Sequence, residues 1–520
     1  VGRDQQWLDF GRTLSASEAA QIREKLSRRA DVDWVEPNVR ERRLQVPPTD
    51  PLYAGSTGQW WLQPVSGSNF NAINDRLRGV AGFQAAWVRY GAPTTPVVVA
   101  VLDTGITAHP DLVGRVLPGY DFVYEIDYAN DRDNRDNNPA DPGDWVSTTD
   151  LSNPNFSGCA VEDSSWHGTI VAGMVAANAS NGVGGASIHW AANILPVRVA
   201  GKCGADVPDI IEGMRWAGGL SACKVDDGRG NCIEFVPANP ISNRARIINI
   251  SFGGSASCGV AYQGAVDELR AAGVVVVAAA GNEWSTPTRP ASCGGVVGVA
   301  GLNRDGFKNN YSNFGPELTA SGIATVAGDD ADGAWSSVLA DSGLVTLINP
   351  GRTGPEAVTG NNGYARLYGT SFAAPQVAGT IALMLGLNPS LSYAQILEGL
   401  RLSARPHVTS LKIGECSASN PGRCICTTAT CGVGILDAER ALMYASQPDG
   451  VMPALSLVVI DNDDIDRALT LASQDRPSNV VDPPPATGGD SGGGAFGVFW
   501  LMALGTAAIC VGATRRRASA

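Results

Sequence analysis

Basic blocks and histidine are what this chain has least of. Its 520 residues carry 38 Lys and Arg against 51 Asp and Glu, a formal net charge of −13. No basic run interrupts the body of the chain, which argues against a nucleic-acid partner. Only four histidines occur, His109, His167, His189 and His407, so imidazole chemistry has four candidates. No C-x-x-C pair marks a metal centre, and there is no internal repeat. The chain opens at Val1 without a signal-peptide pattern, so export implies a start that lies before it.

What is present is a long, globular composition: 44% hydrophobic, 17% charged, 62 Gly. That length buries a large core and holds more than one domain. Apolar runs of strand length recur at 97–102, 194–199, 246–250, 274–279 and 296–300, with helical stretches at 169–177, 208–220 and 262–272 between several of them. Continuous apolar strands alternating with helices predict an α/β fold, a mostly parallel sheet covered on both faces. In such sheets active residues gather at the carboxyl ends of strands.

The flanks differ. Residues 1–43 interleave Arg and Glu, with one amphipathic helix expected over 14–29 before a Pro-rich junction at 45–51. Residues 446–494 degenerate into Asp/Pro/Gly/Ser-rich sequence, read as a linker with a possible short strand at 451–460. Residues 495–514 run without a charge and precede Arg515-Arg516-Arg517. Twenty apolar or small residues are enough to span a bilayer, and the arginines of the 515–520 tail would stay in the cytoplasm.

Three local patterns bear on chemistry. Ser371 lies in Gly369-Thr370-Ser371-Phe372-Ala373-Ala374-Pro375, before an apolar run at helical spacing. A hydroxyl there lies near free backbone N–H groups and the positive end of a helix; it also suits an ordinary N-cap. His167 opens the small-residue helix start His167-Gly168-Thr169. Asp103 ends the strand at 97–102 and precedes Thr104-Gly105, where a carboxylate is placed to hold an imidazole or simply to cap a turn. Acyl transfer needs a hydroxyl, a base, a carboxylate that orients the base, and donors for an oxyanion.

The blocks Val101-Leu102-Asp103-Thr104-Gly105-Ile106, His167-Gly168-Thr169 and Gly369-Thr370-Ser371 resemble the three signatures of the subtilisin-like serine proteases (peptidase family S8), and their order is the subtilisin order. The resemblance covers about residues 50–445. It extends to the cysteine-containing secreted proteases of Gram-negative bacteria through Lys202-Cys203-Gly204 and residues 210–217. It implies a three-layer fold and a secreted or cell-surface endopeptidase acting on protein or peptide substrates. Asp103, His167 and Ser371 would form the triad and Asn282 would supply the oxyanion amide. Ser251, Phe252 and Gly253 match the strand that pairs with substrate. Ala279, Ala280 and Gly281 would wall the pocket for the residue before the cut. Glu283 would sit at its rim and favour a basic residue, or be a solvated carboxylate. An α/β-hydrolase is excluded by its Ser, acid, His order. A dead adhesin on the same scaffold is disfavoured by the intact site residues. The sequence departs from the family at Ile170, Phe372 and Gln376, none of which carries the proton.

Further expectations follow from the resemblance. No cofactor is needed for catalysis. Between Asp121 and Asp150 stand eight Asp and one Glu; oxygen-rich loops suit calcium, with Asp131, Asp133, Asp136 and Asp144 as ligands, a solvated acidic loop being the alternative. Ten body cysteines imply disulfides and an oxidising compartment rather than buried thiols. Cys203 is expected with Cys258, Cys223 with Cys232, Cys159 with Cys293, and the four at 416–431 among themselves. Residues 1–43 resemble the end of an inhibitory propeptide, cut between Arg40 and Pro51, and 44–445 the catalytic domain. The tail, with Gly488-Gly489 or Gly492-Gly493-Gly494 before the apolar segment, resembles a GlyGly sorting signal. Its partners would be the inner membrane and an intramembrane protease; a plain anchor is the alternative.

Overall fold

The computed structural model describes residues 8, 10, 11, 16–35, 47–54, 58–65, 77–329 and 343–460. The cut site at 40–51 lies largely outside them, and the tail from 461 onward lies wholly outside, including the span expected at 495–514 and the Gly-Gly elements. The chain divides into two units, Val1–Gln45 and Val46–Ala520. Among its described residues the first contains one helix, Ala16–Ser27, with Glu18 in its first turn and Lys25 in its last, both complementing the helix dipole.

The second unit holds eleven strands among its described residues: β1 Val98–Asp103, β2 Tyr120–Asp121, β3 Asn193–Arg198, β4 Cys223–Asp226, β5 Cys232–Phe235, β6 Ile247–Ile250, β7 Val275–Ala279, β8 Val297–Leu302, β9 Ile323–Val326, β10 Leu344–Leu347 and β11 Tyr364–Leu367. Seven form one sheet in the order β2-β3-β1-β6-β7-β8-β9, every neighbouring pair parallel. The five expected strands are present within a residue or two. The edge strands β2 and β9 had no clear sequence signal, being short. Residues 451–460 form no strand; Val459 makes one isolated bridge to Thr409.

Alternation along β1 shows why the sheet is covered on both faces. Val99 and Val101 pack with helices His167–Ala176 and Ala374–Leu387, while Ala100 and Leu102 pack with Val207–Ala217 and Val260–Ala271. Among the described residues one helical stretch, Thr370–Leu387, is long and apolar enough to cross a membrane, and 89% of it is buried. It is the core helix behind the sheet.

The sheet order fixes where a site can form. After β1 the chain builds β2 and β3 on one side, and from β6 onward it builds the other side. The switch point lies between β1 and β6, and a crevice opens there beyond the carboxyl ends of the strands.

The five disulfides are Cys159–Cys203, Cys223–Cys232, Cys258–Cys293, Cys416–Cys424 and Cys426–Cys431. Two expected pairings, Cys203–Cys258 and Cys159–Cys293, are therefore wrong. Cys203 meets Cys159 in a small apolar cluster with Val146 and Phe156, which ties the acidic 126–163 insertion to the loop after β3. Cys258 instead precedes the helix Val260–Ala271, within bonding reach of Cys293 just before β8, at a Cα–Cα distance of 5.1 Å.

Candidate active site

Asp103 is the last residue of β1 and has no solvent exposure. Its Oδ1 accepts from the Thr104 N–H at 2.8 Å and lies 2.8 Å from His167 Nδ1, with Oδ2 at 2.9 Å. His167 is the first residue of its helix and is equally buried. The helix comes this close because residue 168 is glycine: a Cβ there would lie 2.1 Å from the Gly105 carbonyl oxygen and 3.1 Å from Asp103 Cβ. Trp166, just before the histidine, takes a left-handed φ of 54°, a strained conformation for a bulky residue. Its indole N–H holds it by donating to the Gly351 carbonyl at 2.5 Å.

Two further carboxylates support this pair from behind. Asp144 accepts from the Ser165 N–H and hydroxyl, both at 2.6 Å, and Ser165 Oγ accepts from the His167 N–H at 3.3 Å. Asp141 accepts from Thr104 Oγ1 at 2.6 Å, and that oxygen accepts from the Gly168 N–H. Burial raises both carboxyls, Asp141 to about 7. The sequence reading missed Asp141 and gave Asp144 a different role.

Ser371 sits on a one-turn 3-10 helix, Thr370–Phe372, and Ala374–Leu387 follows as the α-helix. It is not an N-cap. The turn is closed by Phe372 N–H to the Gly369 carbonyl and Ala373 N–H to the Thr370 carbonyl, so the Ser371 N–H precedes the bonded donors. The Ser371 hydroxyl donates to the Ser251 carbonyl at 2.7 Å.

Asn282 follows β7 through Gly281, whose φ of 106° only glycine adopts readily. Asn282 Oδ1 accepts from Thr370 N–H at 2.9 Å and Thr370 Oγ1 at 3.0 Å. Those bonds fix the amide orientation and leave its NH2 as the outward donor. Thr370, next to the nucleophile candidate, was not singled out from sequence. Ser251, Phe252, Gly253, Gly281, Asn282 and Glu283 line one cleft of about 280 Å³, together with Ala279, Thr288, Thr370 and Ser371. Ala280 does not line it. Its side chain packs into the core with Ala300 and Phe307, and its carbonyl accepts from Thr288 N–H and Asn313 Nδ2. Glu283 is no solvated carboxylate: its Oε2 accepts from the Asn282 N–H at 2.9 Å and from Asn313 Nδ2 at 2.6 Å. Burial pushes its carboxyl up.

The four expected calcium ligands do not form one set. Asp144 is bound to Ser165. Asp131 pairs with Arg198 at 2.6 Å. Asp136 accepts from the Asn138 N–H. Asp133 is raised first by burial and then by the charges of Asp131 and Asp136. Among the described residues the single cluster of three close metal-type donor residues is Cys416, Cys426 and Cys431. These sulfurs are in disulfides and are no thiolate ligands.

Comparisons with known proteins give the family. The chain is 37% identical over 363 residues to an extracellular protease of Xanthomonas campestris pv. campestris, covering 69% of this chain and 53% of that protein. It is 34% identical over 382 residues to an extracellular basic protease of Dichelobacter nodosus, covering 72% and 54%. The chain thus spans about half the length of these curated relatives. A solved structure of proteases from Pseudoalteromonas arctica superposes with a TM-score of 0.60 at 35% identity, covering 77% of this chain and 100% of that one. Residues 94–420 match the Peptidase S8 family model, described as the Subtilase family, and the chain belongs to that family.

Proposed function

We propose that this chain is an exported serine endopeptidase in which Ser371 is the nucleophile, His167 the base, Asp103 its orienting carboxylate and Asn282 an oxyanion donor. The observation that carries the reading is the buried Asp103–His167 contact through Nδ1. It fixes the tautomer with the proton on Nδ1 and assigns base chemistry to Nε2. Ser371 Oγ gives its proton to Nε2 and attacks the peptide carbonyl. The oxyanion takes hydrogen bonds from Asn282 Nδ2 and the Ser371 N–H. His167 then protonates the leaving amine, and water hydrolyses the acyl-enzyme with His167 again as base. No cofactor enters these steps.

Substrate pairs along Ser251–Gly253 as an added strand, with the residue before the cut in the adjoining cleft. Glu283 faces that cleft and favours a basic residue there, while its bonds to Asn282 N–H and Asn313 also brace the oxyanion loop. Secretion is supported by the names of the two extracellular relatives. A structural calcium at the 130–138 loop would draw on Asp133 and Asp136; Asp131 is engaged by Arg198 and Asp144 by Ser165, so both are left out. Residues 1–43 as inhibitory propeptide, 44–445 as catalytic domain and 446–520 as linker, sorting helix and basic tail rest on sequence pattern alone.

The test is covalent labelling by a fluorophosphonate probe, with Ser371→Ala as control. Labelling of the native chain and none of the variant is expected; equal labelling of both would sink the nucleophile assignment.

A further inference from the structure

Asn249 occupies the third position of β6, paired with Val101 on β1 and Val277 on β7. It is fully buried on a strand otherwise made of isoleucine, with valines on either side. A strand covered on both faces calls for an apolar side chain here. A buried amide costs free energy unless its polar atoms are all hydrogen-bonded, and Asn249 Oδ1 has no protein partner. Fold stability therefore does not account for this residue.

Its one side-chain bond accounts for it better. Asn249 Nδ2 donates to Ser251 Oγ at 2.9 Å. Ser251 Oγ donates to the Ser371 main-chain carbonyl at 2.8 Å, and Ser371 Oγ donates back to the Ser251 carbonyl at 2.7 Å. A serine hydroxyl has one proton and two lone pairs. With an amide N–H filling a lone pair, the Ser251 proton is directed to the carbonyl of Ser371. The Ser251 bond to the Ser371 carbonyl ties the nucleophile's peptide to the end of the central strand, and it persists when the Ser371 hydroxyl leaves the Ser251 carbonyl to give its proton to His167.

We propose that Asn249 is a positioning residue for the nucleophile: it orients the Ser251 hydroxyl, which in turn holds the peptide that carries Ser371. Asn249 touches neither substrate nor reacting atoms. The inference rests on the reading of Ser371 as nucleophile. Its consequence is that the direction of the Ser371 N–H, and the reach of Ser371 Oγ toward His167, depend on a residue in the middle of the sheet. Misplacement of reacting groups by fractions of an ångström to an ångström lowers turnover markedly.

The experiment compares the full chain with Asn249→Val, Ser251→Ala and the double variant. Rates are expressed per site labelled by a fluorophosphonate, with Ser371→Ala as blank, and Tm is measured in parallel. Asn249→Val should lower kcat about tenfold per labelled site, leave KM within about twofold, and keep or raise Tm, because an orphaned buried amide is removed. The double variant should be no slower than Ser251→Ala, because the two act in series. Asn249→Ala gives the same per-site comparison without overpacking if the valine does not fit. The proposal is overturned by kcat within twofold of the native value in either Asn249 variant, by a change confined to KM, or by losses that multiply in the double variant. Failure of the native chain to label overturns the nucleophile reading and this proposal together; native labelling with unaltered variants overturns this proposal alone.

Discussion

Asn282 offers the sharpest test, because its amide has two ends with separable roles. Its Oδ1 accepts from Thr370 N–H and Oγ1, and its NH2 is the assigned oxyanion donor. Asn282→Leu removes both functions at similar size. Loss of one oxyanion donor raises the barrier by about 2.7–4 kcal/mol, a fall in kcat of about 10²–10³. Thr370 is fully buried, so its unpaired N–H should also cost about 1–3 kcal/mol of folding stability. Asn282→Asp separates the two. Its carboxylate still accepts from Thr370, so Tm should stay near the native value, but it presents negative charge to the oxyanion. Turnover should then fall at least as far as in Asn282→Leu. The assay is kcat and KM on a fluorogenic peptide, normalised to labelled sites, with thermal unfolding alongside. Recovery of kcat to within about threefold in Asn282→Asp would show that the residue only braces Thr370, and the donor argument would fail.

Other outcomes follow from the same structure. Replacing both Cys159 and Cys203 by Ser should lower unfolding stability by about 2–4 kcal/mol, and by more than the same change at Cys223 and Cys232, since the closed loop is 44 rather than 9 residues long; urea titration ranks them, and the reverse order contradicts the chain-entropy account. His189 is buried and its pKa is pushed down to about 4 by desolvation. Its folded pKa lies below the unfolded value of about 6.5, so its contribution is intact above that value and is lost as pH falls toward 4, by about 3 kcal/mol in all. His189→Asn should flatten the acid limb of a Tm-against-pH curve, and an unchanged limb would refute this. Chelation should lower the Tm of the native chain but not of an Asp133→Asn, Asp136→Asn variant; no shift in the native chain removes the calcium assignment.

The amino-acid order determined much of this protein. Apolar runs gave the central strands, because a parallel strand buried on both faces has few alternatives to Val, Ile and Ala. Asp103, His167, Asn282 and Ser371 were legible because each lies in a short local motif. Other features depended on tertiary placement. The disulfide partners of Cys203 and Cys258 are chosen by which loops meet, and spacing does not encode that. Ala280 reads as a pocket wall, but it lies just past β7 and packs into the core with Ala300 and Phe307, a contact that only the fold brings about. The aspartates of the acidic insertion look alike in composition. Contact with Ser165, Thr104 or Arg198 makes Asp144 and Asp141 supports of the Asp103–His167 pair and Asp131 an ion-pair partner. Asn249 reads as a flaw in an apolar strand until Ser251 and Ser371 are brought to it. Sequence fixes which groups are available; hydrogen bonds between segments 21 to 120 residues apart decide what each one holds.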